Sequence, residues 1–188
     1  MNNHKNLEPG RFYHIYNKAR NEADLFREST NYDYFLKLYD RYLFNHFETF
    51  AWVLMPNHFH FLIRTSPRLP DKPFHQYLSN LFNAYTKAFN KKYNRVGPLF
   101  KSPFERKEVT DSNQFRNLVH YIHNNPVHHG FSESMIEYRW SSYQTIVSLR
   151  PTKLNREVIT GWFNGKDEFV KYHQGEYDYT NIKDLMID

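Results

Sequence analysis

Up to Val109, the predicted strands and helices follow the order strand, helix, strand, strand, helix, strand. Strands are predicted where hydrophobic and polar residues alternate, and helices where apolar residues recur every three to four positions. The strands are predicted at residues 12–17, 48–55, 58–65 and 104–109, and the helices at about 31–46 and 74–93. The two middle strands form a hairpin, because Pro56-Asn57 is typical turn chemistry. This order predicts one antiparallel sheet with both helices on the same face.

The predicted order is that of α+β domains of the ferredoxin-like or RRM-like type. A third helix is expected to lie near the other sheet face, which is otherwise left open for a ligand. Asp111 or Ser112 would cap this helix, and Pro126 should end it near Asn125, because the residue before proline avoids helical geometry. Ser29-Thr30 is expected to cap the first helix.

The chain is expected to comprise a main domain over residues 1–150 and a short helical extension over residues 151–188. Two short helices are predicted in the extension, near 156–163 and 167–173, followed by a frayed acidic end. No apolar stretch is long enough to span a membrane, and the first ten residues lack the apolar core of a secretory signal. Cysteine is absent, which excludes disulfides and suits a cytoplasmic protein.

The segment MPNHFHFLI places two histidines on one face of the third strand. Since side chains alternate across a strand, His58, His60 and Leu62 share this face, and the intervening apolar residues point into the core. Two imidazoles on one face can converge on a single ion such as Mn, Zn, Fe or Ni. A solvated histidine pair on a half-exposed strand is the alternative.

The third helix supplies further candidate residues. Tyr121 and Asn125 are four positions apart and therefore lie on one helix face, at the edge of the apolar stripe. Asn125 offers a carbonyl oxygen suited to Mg or Mn, and Tyr121 offers a hydroxyl. Alternatively, Tyr121 is an ordinary tyrosine at the edge of the core, and Asn125 only ends the helix before Pro126. His120 and His123 are expected to be exposed or to pack.

Five segments of the chain are informative together: YHIYNKA, MPNHFHFLI, GPLFKSPFERKEV, YIHNNPVHHG and WSSY. In this order they resemble the REP-associated tyrosine transposases, a branch of the single-tyrosine HUH transposases. The resemblance covers residues 10 to 148 and implies the ferredoxin-like fold. It also implies that His58 and His60 bind a divalent metal with Asn125 as third ligand, and that Tyr121 is the nucleophile.

The activity implied by this resemblance is metal-dependent nicking and strand transfer of single-stranded DNA through a 5′-phosphotyrosine. The implied metal is Mg or Mn, and the implied substrate is hairpin DNA resembling a REP element. The REP-associated branch is expected to act as a monomer, whereas smaller members of the wider family work as dimers.

Basic residues predict the surface that would contact DNA. The formal net charge is +5, and 19% of the residues are aromatic, which suits phosphate contact combined with base stacking. The residues predicted to bind nucleic acid are Arg11, Lys18, Lys91, Lys92, Arg95, Lys101, Arg106 and Lys107. Arg20 would extend this surface. A solvated helix end and an amphipathic strand are the alternative for the stretch from Lys91 to Lys107.

Two other functions remain open from the sequence. One is an RRM-like nucleic-acid-binding module without catalysis, although such a module would present stacking aromatics where His58 and His60 are predicted. The other is a metal hydrolase that releases free products and has no need of Tyr121. Formation of a covalent protein–DNA adduct separates the transposase from both.

Overall fold

A computed structural model of the chain describes residues 6–186 except 22 and 176. Its centre is a four-stranded antiparallel sheet with the spatial order β2-β3-β1-β4. The strands are β1 (Phe12–Lys18), β2 (Phe47–Met55), β3 (His58–Thr65) and β4 (Glu105–Val109). Helix α1 (Ser29–Leu43) joins β1 to β2, and α2 (Phe74–Lys92) joins β3 to β4. This confirms the predicted ferredoxin-like α+β fold.

The first core lies between the sheet and the helices α1 and α2. Phe59, Phe61 and Ile63 of β3 point into it, as the alternation predicted. The buried positions of α2 follow the predicted helical stripe and comprise Phe74, Tyr77, Leu78, Leu81, Phe82, Tyr85 and Phe89. Apolar periodicity therefore determines which face of each element is buried on this side of the sheet.

The start of α1 differs from the prediction. The helix begins at Ser29 after Glu28, and no side chain caps it, so Ser29-Thr30 does not form the expected cap. The Asn31 side-chain oxygen instead accepts a hydrogen bond from the Arg27 backbone N–H at 2.9 Å. Asn31, a residue of the first helical turn, thus binds the backbone of the segment that precedes the helix.

The second sheet face is covered, which corrects the expectation of an open face. Helix α3 (Ser112–His128) packs on it, together with the shorter helices of the C-terminal segment. The second core comprises Val53 and Leu62 from the sheet, Leu118 and Ile122 from α3, and Phe169 from the C-terminal segment, among others. The sheet carries apolar side chains on this face too, so burying them favours a second layer.

Helix α3 continues through Pro126 to His128, which corrects the predicted end near Asn125. The Asp111 side chain caps its start by accepting a hydrogen bond from the Asn113 backbone N–H, as predicted. Proline removes one backbone donor from the helix. The Asn125 side-chain Nδ2 donates a 2.7 Å hydrogen bond to the Tyr121 carbonyl, which stabilises the helical turn that precedes the proline.

The C-terminal segment packs on the second face. It contains α4 (Tyr143–Val147), α5 (Arg156–Trp162), α6 (Lys166–Tyr172) and a 3₁₀-helix (Thr180–Leu185). The positions of α5 and α6 confirm the two predicted short helices. The expected frayed end is wrong for residues 180–185, because Ile182 and Leu185 are buried in the second core. In the described part of the chain, none of the helices combines the length and the apolarity needed to cross a bilayer.

A row of polar side chains crosses the second core and links α6 to α3. The Nδ1 atom of His173 lies 2.8 Å from the Phe169 carbonyl, and its Nε2 lies 2.9 Å from Nδ1 of His123. Nε2 of His123 lies 2.7 Å from the Ser142 hydroxyl. Burial lowers the pKa of His173 to about 3, so the ring is neutral at pH 7.

The buried His173 predicts a loss of stability in acid. Above pH 6.5, the ordinary histidine pKa, the buried ring does not reduce the free energy of unfolding. As the pH falls from 6.5 toward 3, the free energy of unfolding decreases progressively, because only the unfolded chain binds the proton. The loss is about 2 kcal/mol by pH 5, at about 1.36 kcal/mol per pH unit. Denaturant unfolding of wild type and His173→Gln at pH 7 and pH 5 measures it. We expect a smaller pH dependence in the variant; equal dependence would contradict the neutral burial of His173.

Candidate functional site

Four predicted site residues come together between β3 and α3. His58 and His60 point from β3 toward α3, on the face opposite Phe59 and Phe61. Their rings are 5.3 Å apart between centroids and nearly perpendicular. Tyr121 and Asn125 lie one turn apart on α3, and the Tyr121 ring centroid is 5.7 Å from that of His60. The face predicted from strand alternation and the face predicted from helical spacing therefore meet.

The cluster is buried. His60 and Asn125 are fully buried, and Tyr121 and His58 are only 3% and 7% exposed. Tyr179 from the C-terminal segment packs edge-on against Tyr121, with ring centroids 5.7 Å apart. Buried polar groups cost free energy unless they are paired, so those in this cluster need hydrogen-bond partners nearby or a bound ligand that pairs with them.

Three polar atoms in the cluster have the chemistry of metal ligands. His60 Nε2 and Asn125 Oδ1 are buried and have no hydrogen-bond partner among the described residues. His58 Nδ1 lies 2.6 Å from the Asn57 side-chain oxygen, so it carries the proton and leaves Nε2 with a lone pair. Two imidazole nitrogens and an amide oxygen fit a divalent ion.

Many protein metal sites are built only from His, Cys, Asp or Glu side chains. Within the described ranges, no group of three or more such side chains is placed to hold a metal ion. A metal bound at the histidine pair would therefore depend on the Asn125 amide as its third protein ligand. This is the ligand type that the sequence motif implies.

Burial keeps the histidines in the form that binds metals. It lowers the pKa of His58 to about 3, with further lowering from His129 and Lys18 and an opposing effect from the neighbouring Asn125. Burial also lowers the pKa of His60 far below its ordinary range and that of His14 to about 3. All three rings are neutral at pH 7 and retain a lone pair.

A cleft of about 720 Å³ opens beside His58. We call it the His58 cleft; its lining comprises Lys18, Ala19, Arg20, Asn21, Ala23, Asn57, His58, Lys101 and Ser102. Lys18 is the register partner of His58 between β1 and β3, and Lys101 lies on the loop before β4. The cleft therefore places cationic side chains next to one of the candidate metal ligands.

A second cleft of about 560 Å³ continues from the first along α2. Lys101 and Ser102 line both clefts, and Arg106, Phe82, Phe100 and Phe104 line the second. We call it the α2 cleft. Phe82, Phe100 and Phe104 are buried in the first core, so the cations Lys101 and Arg106, rather than the rings, are available to the phosphates of a nucleic-acid strand.

The other predicted DNA-binding residues lie elsewhere. Lys91 is exposed near the end of α2, and Lys92 next to it pairs with Glu28 at 2.5 Å. Arg95 donates a hydrogen bond to the Pro98 carbonyl at 2.8 Å and so stabilises its own turn. Arg11 precedes β1 at the end of the sheet opposite Lys18, 3.9 Å from Glu108. Lys107 donates to the Met186 carbonyl at 3.2 Å.

Sequence reasoning missed three residues of the site. His14 and Tyr16 lie on β1, on the same face as His60, with ring centroids 5.1 and 5.7 Å from it. The alternation of β1 could have placed both on this face, but only the β1–β3 register brings them to His60. His129, just past the end of α3, packs edge-on against His58 at 4.7 Å.

The comparisons with known proteins concern the fold. No protein-family model and no curated protein matches the chain. Among solved structures, the chain is similar to a REP-associated tyrosine transposase bound to a REP hairpin, with a TM-score of 0.65. The two are 22% identical, and the match covers 78% of this chain and 86% of that chain. This likeness confirms the fold that the sequence motifs imply.

Proposed function

We propose that the chain is an enzyme of the REP-associated tyrosine transposase type, a divalent-metal-dependent nuclease and strand transferase for single-stranded DNA. The observation that carries the proposal is the cluster in which Tyr121 lies against His60, beside lone pairs on His58, His60 and Asn125. The shared fold with a solved transposase of this type supports it. So does the family order of the sequence motifs.

The proposed chemistry assigns each residue a role. His58, His60 and Asn125 would hold Mg²⁺ or Mn²⁺, which would withdraw charge from a phosphate oxygen and orient the scissile bond. The Tyr121 hydroxyl oxygen attacks phosphorus, loses its proton and forms a 5′-phosphotyrosine. The bond from phosphorus to the 3′ oxygen breaks, and that oxygen gains a proton. Reversal with another 3′-hydroxyl joins strands, because the covalent link conserves the bond energy.

The proposed substrate is an unpaired DNA strand next to a hairpin. The His58 cleft and the α2 cleft together supply Lys18, Arg20, Lys101 and Arg106 along one path. The solved relative is bound to a REP hairpin, which supports a structured DNA of this kind as the partner. We also propose that the protein acts in the cytoplasm, which suits its lack of cysteine.

We further propose that the enzyme acts as a monomer. The nucleophile and the three candidate ligands are all contributed by one copy of the chain, from β3 and α3. A second copy is therefore not required to complete the cluster.

A non-catalytic RRM-like module is the second candidate function. It would bind nucleic acid on the exposed face of the sheet. Here that face is covered by α3 and the C-terminal segment, and it carries a buried histidine cluster. These observations favour the enzyme.

Covalent trapping tests the proposed function. The protein is mixed with labelled hairpin DNAs that carry single-stranded flanks, with Mn²⁺ or Mg²⁺, and is then denatured. We expect metal-dependent label that migrates with the protein. Free cleaved DNA without an adduct would indicate a hydrolase, and binding without cleavage would favour the inert module.

Neutralising the His58 cleft should weaken DNA binding. In Lys18→Ala and Lys101→Ala, each lost phosphate contact should reduce the slope of log affinity against log salt by about 0.7 for a single strand. Binding should weaken similarly for different sequences, because phosphate contacts carry no base information. Fluorescence anisotropy with a labelled hairpin over a salt series gives both quantities.

Lys37→Ala is the matched control, since Lys37 is exposed on α1, on the opposite side of the sheet. Its affinity and salt slope should equal those of wild type. Equal slopes for all three variants would place the DNA path outside the His58 cleft.

A further inference from the structure

A chain of two hydrogen bonds connects His60 to the C-terminal segment. His60 Nδ1 lies 2.9 Å from His14 Nε2, and His14 Nδ1 lies 2.7 Å from the Leu185 backbone carbonyl. The two rings are almost coplanar, at 18°, with centroids 5.1 Å apart. Since the lone pair of an imidazole nitrogen lies in the ring plane, coplanar rings give a well-aligned hydrogen bond.

The Leu185 carbonyl determines where each proton lies. A carbonyl only accepts, so His14 Nδ1 must be the donor. The ring of His14 is fully buried and its two nitrogens bind a carbonyl and another imidazole, so it carries one proton, on Nδ1, and its Nε2 can only accept. His60 Nδ1 must therefore donate to it, and the neutral His60 ring keeps its lone pair on Nε2. That Nε2 is the buried atom without a partner in the candidate metal site.

We propose that His14 is a positioning residue that holds His60 in its metal-binding tautomer, with the Leu185 carbonyl as the fixed end of the chain. This inference rests on the proposed function of the site. A metal-binding histidine commonly donates its second N–H to an outer partner, which orients the ring and increases its basicity. Here the outer partner is itself a histidine, and its own orientation depends on the 3₁₀-helix at residues 180–185.

A second histidine pair in the same core offers an internal control. His123 and His173 form a similar chain from the Phe169 carbonyl, and their nitrogens are also 2.9 Å apart. That chain ends on the Ser142 hydroxyl, which occupies the lone pair of His123 Nε2. The two chains thus share their chemistry, but only the His14 chain leaves a vacant lone pair at its end.

The tautomers can be measured without metal. Long-range ¹⁵N–¹H correlation spectra of the metal-free protein report which ring nitrogen of each histidine is protonated. We expect His14 and His60 both to carry the proton on Nδ1. In His14→Phe, His60 loses its acceptor and should shift toward the Nε2-protonated form. A wild-type His60 protonated on Nε2 would overturn the proposal.

Metal binding provides the second readout. Calorimetric titration with Mn²⁺ should give His14→Phe an affinity lower than wild type by about 10- to 100-fold, the usual effect of losing an outer-shell partner. His14→Gln keeps an acceptor near the Nε2 position and should bind more tightly than His14→Phe. His173→Gln, which breaks the other chain, should match wild type.

The outcomes separate this inference from the proposed function. Equal Mn²⁺ affinity in wild type and His14→Phe overturns the role of His14 while the metal site stands. An equal loss in His14→Phe and His173→Gln assigns the effect to general core damage and also overturns it. Absence of Mn²⁺ binding in the wild type refutes the metal site itself, and the role of His14 with it.

Discussion

Tyr121→Phe is expected to abolish both DNA cleavage and the covalent adduct while leaving hairpin binding nearly unchanged. Phenylalanine fills the same space against His60 and Tyr179, so the packing between α3 and the sheet is kept. Only the oxygen that would attack phosphorus is lost, and no other atom of the side chain can form the ester. Denaturing electrophoresis with labelled DNA, combined with anisotropy, measures chemistry and binding separately.

Tyr85→Phe is the matched control for this experiment. Tyr85 is a buried tyrosine of the first core and donates to the Leu25 carbonyl at 2.6 Å, away from α3. Loss of the Tyr85 hydroxyl should lower the free energy of unfolding by about 1 kcal/mol and leave adduct formation intact. Strong cleavage by Tyr121→Phe would remove Tyr121 from the mechanism and leave the hydrolase as the better hypothesis.

His60→Ala is expected to eliminate metal-dependent activity and to weaken Mn²⁺ binding by more than the roughly 10- to 100-fold caused by loss of an outer-shell partner. The substitution removes one of the two imidazole ligands. His58→Ala should behave in the same way. Calorimetric titration with Mn²⁺ and the trapping assay over a metal series test both variants.

His46→Ala is the control for the loss of a histidine. His46 stacks on Tyr77 with ring centroids 3.7 Å apart, in the layer of α1 and α2, and is not part of the cluster. The His46→Ala variant should bind Mn²⁺ with the same affinity as wild type. Unchanged metal dependence in both His58→Ala and His60→Ala, with folding verified by circular dichroism, would contradict the ligand assignment.

The sequence alone was sufficient for the sheet, for the two helices of the first core and for the faces of the site residues. Alternation along β3 separates His58 and His60 from Phe59 and Phe61, and a spacing of four puts Tyr121 and Asn125 on one face of α3. These features are local. They depend on the period of a strand or helix, which a short window of sequence contains.

Only the tertiary structure decided which surfaces and side chains meet. His14 and His60 are 46 positions apart, and His14 and Leu185 are 171 apart, so no local pattern pairs them. Helix α3 continues past Pro126 because burial of its last turns outweighs the local preference of the residue before proline. The second sheet face is covered for the same reason: the free energy of burying apolar surface depends on distant segments, which local periodicity does not identify.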